Sequence, residues 1–127
     1  MINSVNTNLK GSVNLTGSSA VTLNNAHAIG TVGTANIAKN SELYVSNSDV
    51  NLAFTKKLNG NGQFSVVTGT DHKGNATDTI LNLVGNNSGF SGQVNIGQNG
   101  DSATTTLAIT DEKSLGANNT VNITQNG

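Results

Sequence analysis

The sequence predicts an all-β chain wound as a solenoid of short parallel strands. Three observations carry that expectation. Apolar residues come in pairs two positions apart, which places both side chains of a pair on one face of a strand. The residues around the pairs are mostly Asn, Gly, Ser and Thr, the chemistry of turns. No window of useful length repeats apolar residues at the three- and four-residue spacing of a helix.

The pairs run along the whole chain. They are Val13/Leu15, Val21/Leu23, Leu43/Val45, Val50/Leu52, Phe64/Val66, Leu81/Leu83, Val94/Ile96, Leu107/Ile109 and Val121/Ile123, with a weaker one at Ala35/Ile37. Ile29 and Val32 read as a poorly formed strand among small residues. From Leu81 onward the pairs begin at 81, 94, 107 and 121, steps of 13, 13 and 14. Short strands with polar turns between them fit a sandwich, a barrel or a solenoid. The shortness of the strands and the uneven turn lengths favour the solenoid. So does the recurrence of Asn at turns, where stacked amides can hydrogen-bond along the axis. Two or three strands per coil give five or six coils, stacked in parallel at roughly 4.8 Å. A β-sandwich stays open as the alternative. Asn59-Gly60, Asn61-Gly62, Asn99-Gly100 and Asn126-Gly127 are compatible with two-residue hairpin turns.

Thr79–Ile96 is the clearest unit. Leu81 and Leu83 precede a turn of Gly85, Asn86, Asn87, Ser88 and Gly89. Phe90 and Gly92 lead into Val94 and Ile96. Phe90 reads as core, because it lacks the polar handle of a binding platform. Two stretches break the pattern and read as loops leaving the column: 53–62, with Lys56-Lys57, and 68–79, the longest polar insert.

Composition bounds the function. At 127 residues the chain is one β-helical segment, 1–127. Net charge is −1, and all six basic residues are Lys. Without Arg and without excess positive charge, the chain lacks the footprint of a nucleic-acid binder. With no Cys there is neither a disulfide nor a thiolate metal site. No stretch reaches the length of a membrane span. Met1-Ile2-Asn3-Ser4 has neither a charged start nor an apolar core, so the chain reads as an excised segment. Its export and anchoring signals are expected outside it.

No cofactor, metal site or catalytic set is expected. Asp71, His72, Lys73 and Asp78 form the densest charged cluster, a possible contact loop whose plainer reading is a solvated turn. One His and two flexible carboxylates do not fix a coordination geometry. His27, among small residues, reads as a surface or turn residue. Asp101, Asp111 and Glu112 are too scattered for a polysaccharide-cleaving site, which is the least favoured reading. The Asn-x-Ser/Thr matches, such as Asn86-Asn87-Ser88, reflect composition.

The segment from about 58 to 123 resembles the passenger-associated repeat of bacterial autotransporters. The matching residues are Leu81, Leu83, Gly85, Asn86, Asn87, Phe90, Ser91, Gly92, Val94 and Ile96, then Leu115, Gly116, Val121 and Ile123. The first half resembles generic passenger coils by composition and pairs alone. The resemblance implies a right-handed parallel β-helix, exported by the type V route. It implies display on the outer surface of a Gram-negative bacterium, anchored by a C-terminal barrel outside this chain. It implies adhesion, cell aggregation or biofilm, with a host surface or a neighbouring cell (protein or glycan) as partner, and possible self-association. The alternative within the same family is an export or folding module of the passenger.

Overall fold

The computed structural model describes residues 8–24, 28–30, 33–47, 52–98 and 102–124. Twelve strands follow one another: β1 (Ser12–Leu15), β2 (Ala20–Leu23), β3 (Thr34–Ile37), β4 (Glu42–Asn47), β5 (Leu52–Phe54) and β6 (Lys57–Gly60). Then come β7 (Gln63–Thr70), β8 (Ala76–Thr77), β9 (Thr79–Leu83), β10 (Gln93–Ile96), β11 (Thr105–Ile109) and β12 (Thr120–Ile123). The described residues contain no helix.

Neighbours in space are not neighbours in sequence. One sheet has the order β1-β3-β6, a second β12-β10-β7-β4-β2, and a third β11-β9-β5. Every pairing along these paths is parallel. Parallel strands need a crossover to return in the same direction. Here each crossover passes through the other sheets, so the chain is a β-solenoid of about four turns, not the five or six coils expected from the sequence. Antiparallel pairing of the kind a sandwich needs is limited, among the described residues, to one hairpin. It sets β8 against β7, pairing Gly69 with Thr77 and Thr70 with Ala76.

The register shows where each turn begins and ends. Ser12 pairs with Thr34 and Thr34 with Lys57, so one full turn separates each of these positions from the next. In the second sheet Gln63 pairs with Gln93 and Gln93 with Thr120. The regular step from Leu81 to Val94 to Leu107 to Val121 is therefore only half a turn. It alternates between sheets, from β9 to β10 to β11 to β12. The turn from Glu42 to Gln63 is the shortest of these. The longer one that follows, from Gln63 to Gln93, carries the β7–β8 hairpin.

The inward positions stack into one apolar column. Leu23, Val45 and Val66 occupy one row, and Leu43, Phe64 and Val94 another, all buried. Phe54, Phe64 and Phe90 are fully buried, and the rings of Phe54 and Phe64 lie tilted with centroids 5.4 Å apart. The column is open at its last turn. Ile109 is 46% exposed and Ile123 66%, because among the described residues no further turn covers β11 and β12. The pairing rule is right for these strands, but burial needs a turn on both sides.

Two expectations need correction. Residues 53–62 do not leave the column. They contain parts of β5 and all of β6, with Phe54 and Leu58 buried and Lys56 also buried, its Nζ donating to the Gly30 carbonyl. A lysine pair signalled solvent, yet Lys56 lies on the inward side of a corner while Lys57 points out. Among the described residues the amide-to-amide ladders also run along strands, while the corner Asn87 bonds along the axis to backbone groups. Asn36 Nδ2 donates to Asn14 Oδ1 at 2.6 Å, and Asn59 Nδ2 to Asn36 Oδ1 at 3.3 Å. Parallel register places identical side chains one strand spacing apart, which turns of varying length do not. Val32, Val50, Asn99-Gly100 and Asn126-Gly127 lie outside the described residues.

Candidate functional site

The longest sheet presents the broadest outward face. Alternation along β2, β4, β7, β10 and β12 turns Thr22, Tyr44, Ser65, Asn95 and Asn122 outward in one row. Glu42, Gln63, Gln93 and Thr120 form the parallel row. These side chains hydrogen-bond along the axis. Ser65 Oγ donates to Glu42, Asn95 Nδ2 donates to Ser65 Oγ at 2.9 Å, and Asn122 Nδ2 donates to Asn95 Oδ1 at 3.1 Å. Gln93 Nε2 closes on Asn95 Oδ1 at 2.7 Å. The Tyr44 hydroxyl bonds to Glu42. That bond, partial burial and the carboxylate's charge hold the Tyr44 pKa above its ordinary value. The result is a nearly uncharged, pre-ordered polar face.

The β7–β8 hairpin stands over one margin of this face. Between them lies a groove of about 460 Å³, in the size range of small-ligand sites. Its floor includes Thr22, Tyr44 and Ser46, and its wall Thr68 and Thr70, with Gln98 at one side. Ser46 Oγ donates to the Thr68 carbonyl at 2.9 Å, tying floor to wall.

The charged cluster proposed from sequence is split by the fold. Asp71 sits at the hairpin tip and binds its own turn. Oδ1 accepts from the backbone N–H of Lys73 at 2.8 Å and of Asn75 at 2.9 Å, and Oδ2 from Asn75 Nδ2 at 3.1 Å. The Asn75 side chain first, then its backbone N–H, holds the Asp71 carboxyl below its ordinary pKa. His72 and Lys73 are exposed at the tip. Asp78 turns the other way and accepts the Thr104 N–H from the next turn at 2.8 Å. Among the described residues no three His, Cys, Asp or Glu side chains gather where they could hold a metal ion. Nor is there, among those residues, a helix long and apolar enough to cross a membrane. His27 and Asp101 lie outside the described residues.

The motif residues occupy one stretch of the column. Leu81 and Leu83 point inward from β9, and Val94 and Ile96 from β10. Gly85 takes φ +85°, and Asn86 Oδ1 accepts the Ser88 N–H at 2.9 Å, forming the exposed corner. Asn87 is buried. Phe90 follows Gly60 in the ladder of the first sheet by an isolated parallel bridge. Gly92 packs directly on the Gly62 carbonyl, and Gly116, at φ +110°, on that of Phe90. Leu115 packs partly buried against the column.

Sequence reading passed over the groove. Tyr44 is the one tyrosine, set between Leu43 and Val45, both buried. Alternation alone places it outward, and its hydroxyl is the polar handle that the phenylalanines lack. That signal was available. The hairpin over it was not, because it depends on which strand β8 joins.

The fold and this face define a β-solenoid with an ordered polar surface. In comparisons with protein families, curated proteins and solved structures, nothing matches the chain.

Proposed function

We propose that this chain is a non-catalytic, surface-displayed segment of a bacterial autotransporter adhesin, a right-handed parallel β-helix that serves as stalk or contact surface. The observation that carries the reading is the outward face of the five-stranded path of the second sheet, with its in-register amides and hydroxyls bonded along the axis. Such a face is rigid before contact, so little side-chain freedom remains to be lost on binding. Its single contacts are weak, and many displayed copies make them add. In a full passenger this segment is one stretch of a longer β-helix. The partners are a host surface or a neighbouring cell, outside a Gram-negative bacterium.

The test is cell aggregation and host-cell adhesion by bacteria displaying the chain. Asn95→Lys with Asn122→Lys places like charges along the face, and a second variant removes 71–75 from the hairpin tip. Loss of adhesion in either supports the reading. Adhesion unchanged in both, with the proteins folded and displayed, overturns it.

A further inference from the structure

We propose that the groove between the β7–β8 hairpin and the outward face of the second sheet binds an uncharged saccharide, with Tyr44 as the stacking platform. This deepens the adhesive reading and rests on it for its biological meaning, though the binding chemistry stands apart.

Four features point to that ligand class. The groove has the volume of a small-ligand site, about 460 Å³. Its polar lining is hydroxyl and amide: Thr22, Ser46, Thr68, Thr70 and Gln98. Each such group both donates and accepts, which matches sugar hydroxyls that do the same. No charged side chain lines it among the described residues. Sulfated, phosphorylated and uronic ligands call for cationic forks that are absent from this lining. Finally, Tyr44 supplies an aromatic ring with a polar tip, suited to the mixed apolar and hydroxylated surface of a pyranose.

An extended peptide fits less well. Peptides that add to sheets use an open strand edge. The floor of this groove is the face of a sheet, and β4 is already paired on both sides, with β2 and with β7. The hairpin is also held in place. Thr79 Oγ1 accepts the Gly69 N–H at 3.0 Å, and Asp78 is bound to Thr104. The wall is thus pre-formed.

The experiment titrates the purified 127-residue chain with cellohexaose, chitohexaose and lacto-N-neotetraose. Separate arms use heparin, polygalacturonate and a heptapeptide array. Binding is read by saturation-transfer NMR and by amide chemical shifts. The expected result is binding of at least one neutral oligosaccharide, with shifts confined to the groove. Tyr44→Ala, and Thr22→Trp, which fills the groove, each weaken it at least ten-fold and leave the far-UV spectrum unchanged. Neither touches the column, and the shift map decides the matter even if a variant misfolds. No neutral saccharide binding, shifts elsewhere, or binding only to acidic polymers or peptides overturns the assignment. Normal adhesion without saccharide binding sinks the groove and spares the adhesive reading. Saccharide binding without adhesion does the reverse.

Discussion

The side-chain carbonyl of Asn87 accepts the backbone N–H of Leu58 at 2.8 Å, joining a corner of one turn to a strand of the turn before. The same side chain donates through Nδ2 to the Ser114 carbonyl in the turn after, at 2.7 Å. Its backbone N–H bonds to the Lys113 carbonyl at 2.9 Å. Among the described residues the first sheet has three strands, and beyond β6 its ladder continues only as the bridge from Gly60 to Phe90. Asn87 supplies the missing donor and acceptor with an amide, which is the chemistry of a peptide group.

Asn87→Ala therefore leaves the Leu58 N–H and the Ser114 carbonyl buried and unpaired. Each such group costs about 1–3 kcal/mol. For the two together the expected loss is about 2–5 kcal/mol, read as a lower urea midpoint. Asn87→Asp is expected to be destabilised at neutral pH and to regain part of the loss in acid. There the protonated carboxyl again donates to Ser114.

Close stacking at the corners makes a second prediction. A Cβ at Gly92 would collide with the Gly62 carbonyl, while one at Gly33 meets nothing within 4 Å. Gly92→Ala must push two turns apart, at a cost of about 1–3 kcal/mol or more. Gly33→Ala is expected to stay within about 0.5 kcal/mol of the parent. Thermal unfolding of the two variants checks the contrast.

Lys56 gives a pH dependence. Burial lowers its pKa from the ordinary 10.5, because desolvation disfavours the charged form. Between the folded and unfolded pKa the unfolded chain binds more protons, so stability rises with pH there. Below the folded value that gain is absent. Denaturant midpoints are expected to increase as pH climbs toward 10.5. In Lys56→Met that increase is expected to disappear. A parent whose midpoint is flat or falls over that window contradicts the assignment.

The open end of the column separates two isoleucines. Ile37 is fully buried, and Ile123 is 66% exposed. Ile37→Ala is expected to cost about 2–5 kcal/mol. Ile123→Ser is expected to change stability by less than about 0.5 kcal/mol. Equal effects would mean that the last turn is covered in solution.

Much of the architecture was legible locally. Pairs such as Leu43/Val45 and Leu81/Leu83 declare strands because alternation is a property of the backbone itself. Asn and Gly declare corners because few other residues accept the left-handed region, as Asn40 and Asn118 do at φ 64° and 56°. Lys56 misled because charge predicts exposure only on average. Its burial depends on a corner that brings the distant Gly30 carbonyl within reach.

By itself, then, the sequence determined that this chain is β-rich, close to neutral in charge and built around an aliphatic spine. These follow from side-chain spacing and composition, which need no partner strand. Only the tertiary structure decided which strands lie together. It also decided that the step from Leu81 to Val94 changes sheet, and that the insert folds back as a hairpin over Tyr44. Those outcomes depend on register between residues far apart in the chain, such as Glu42 with Gln63 and Gln63 with Gln93. No local pattern encodes a choice among distant neighbours.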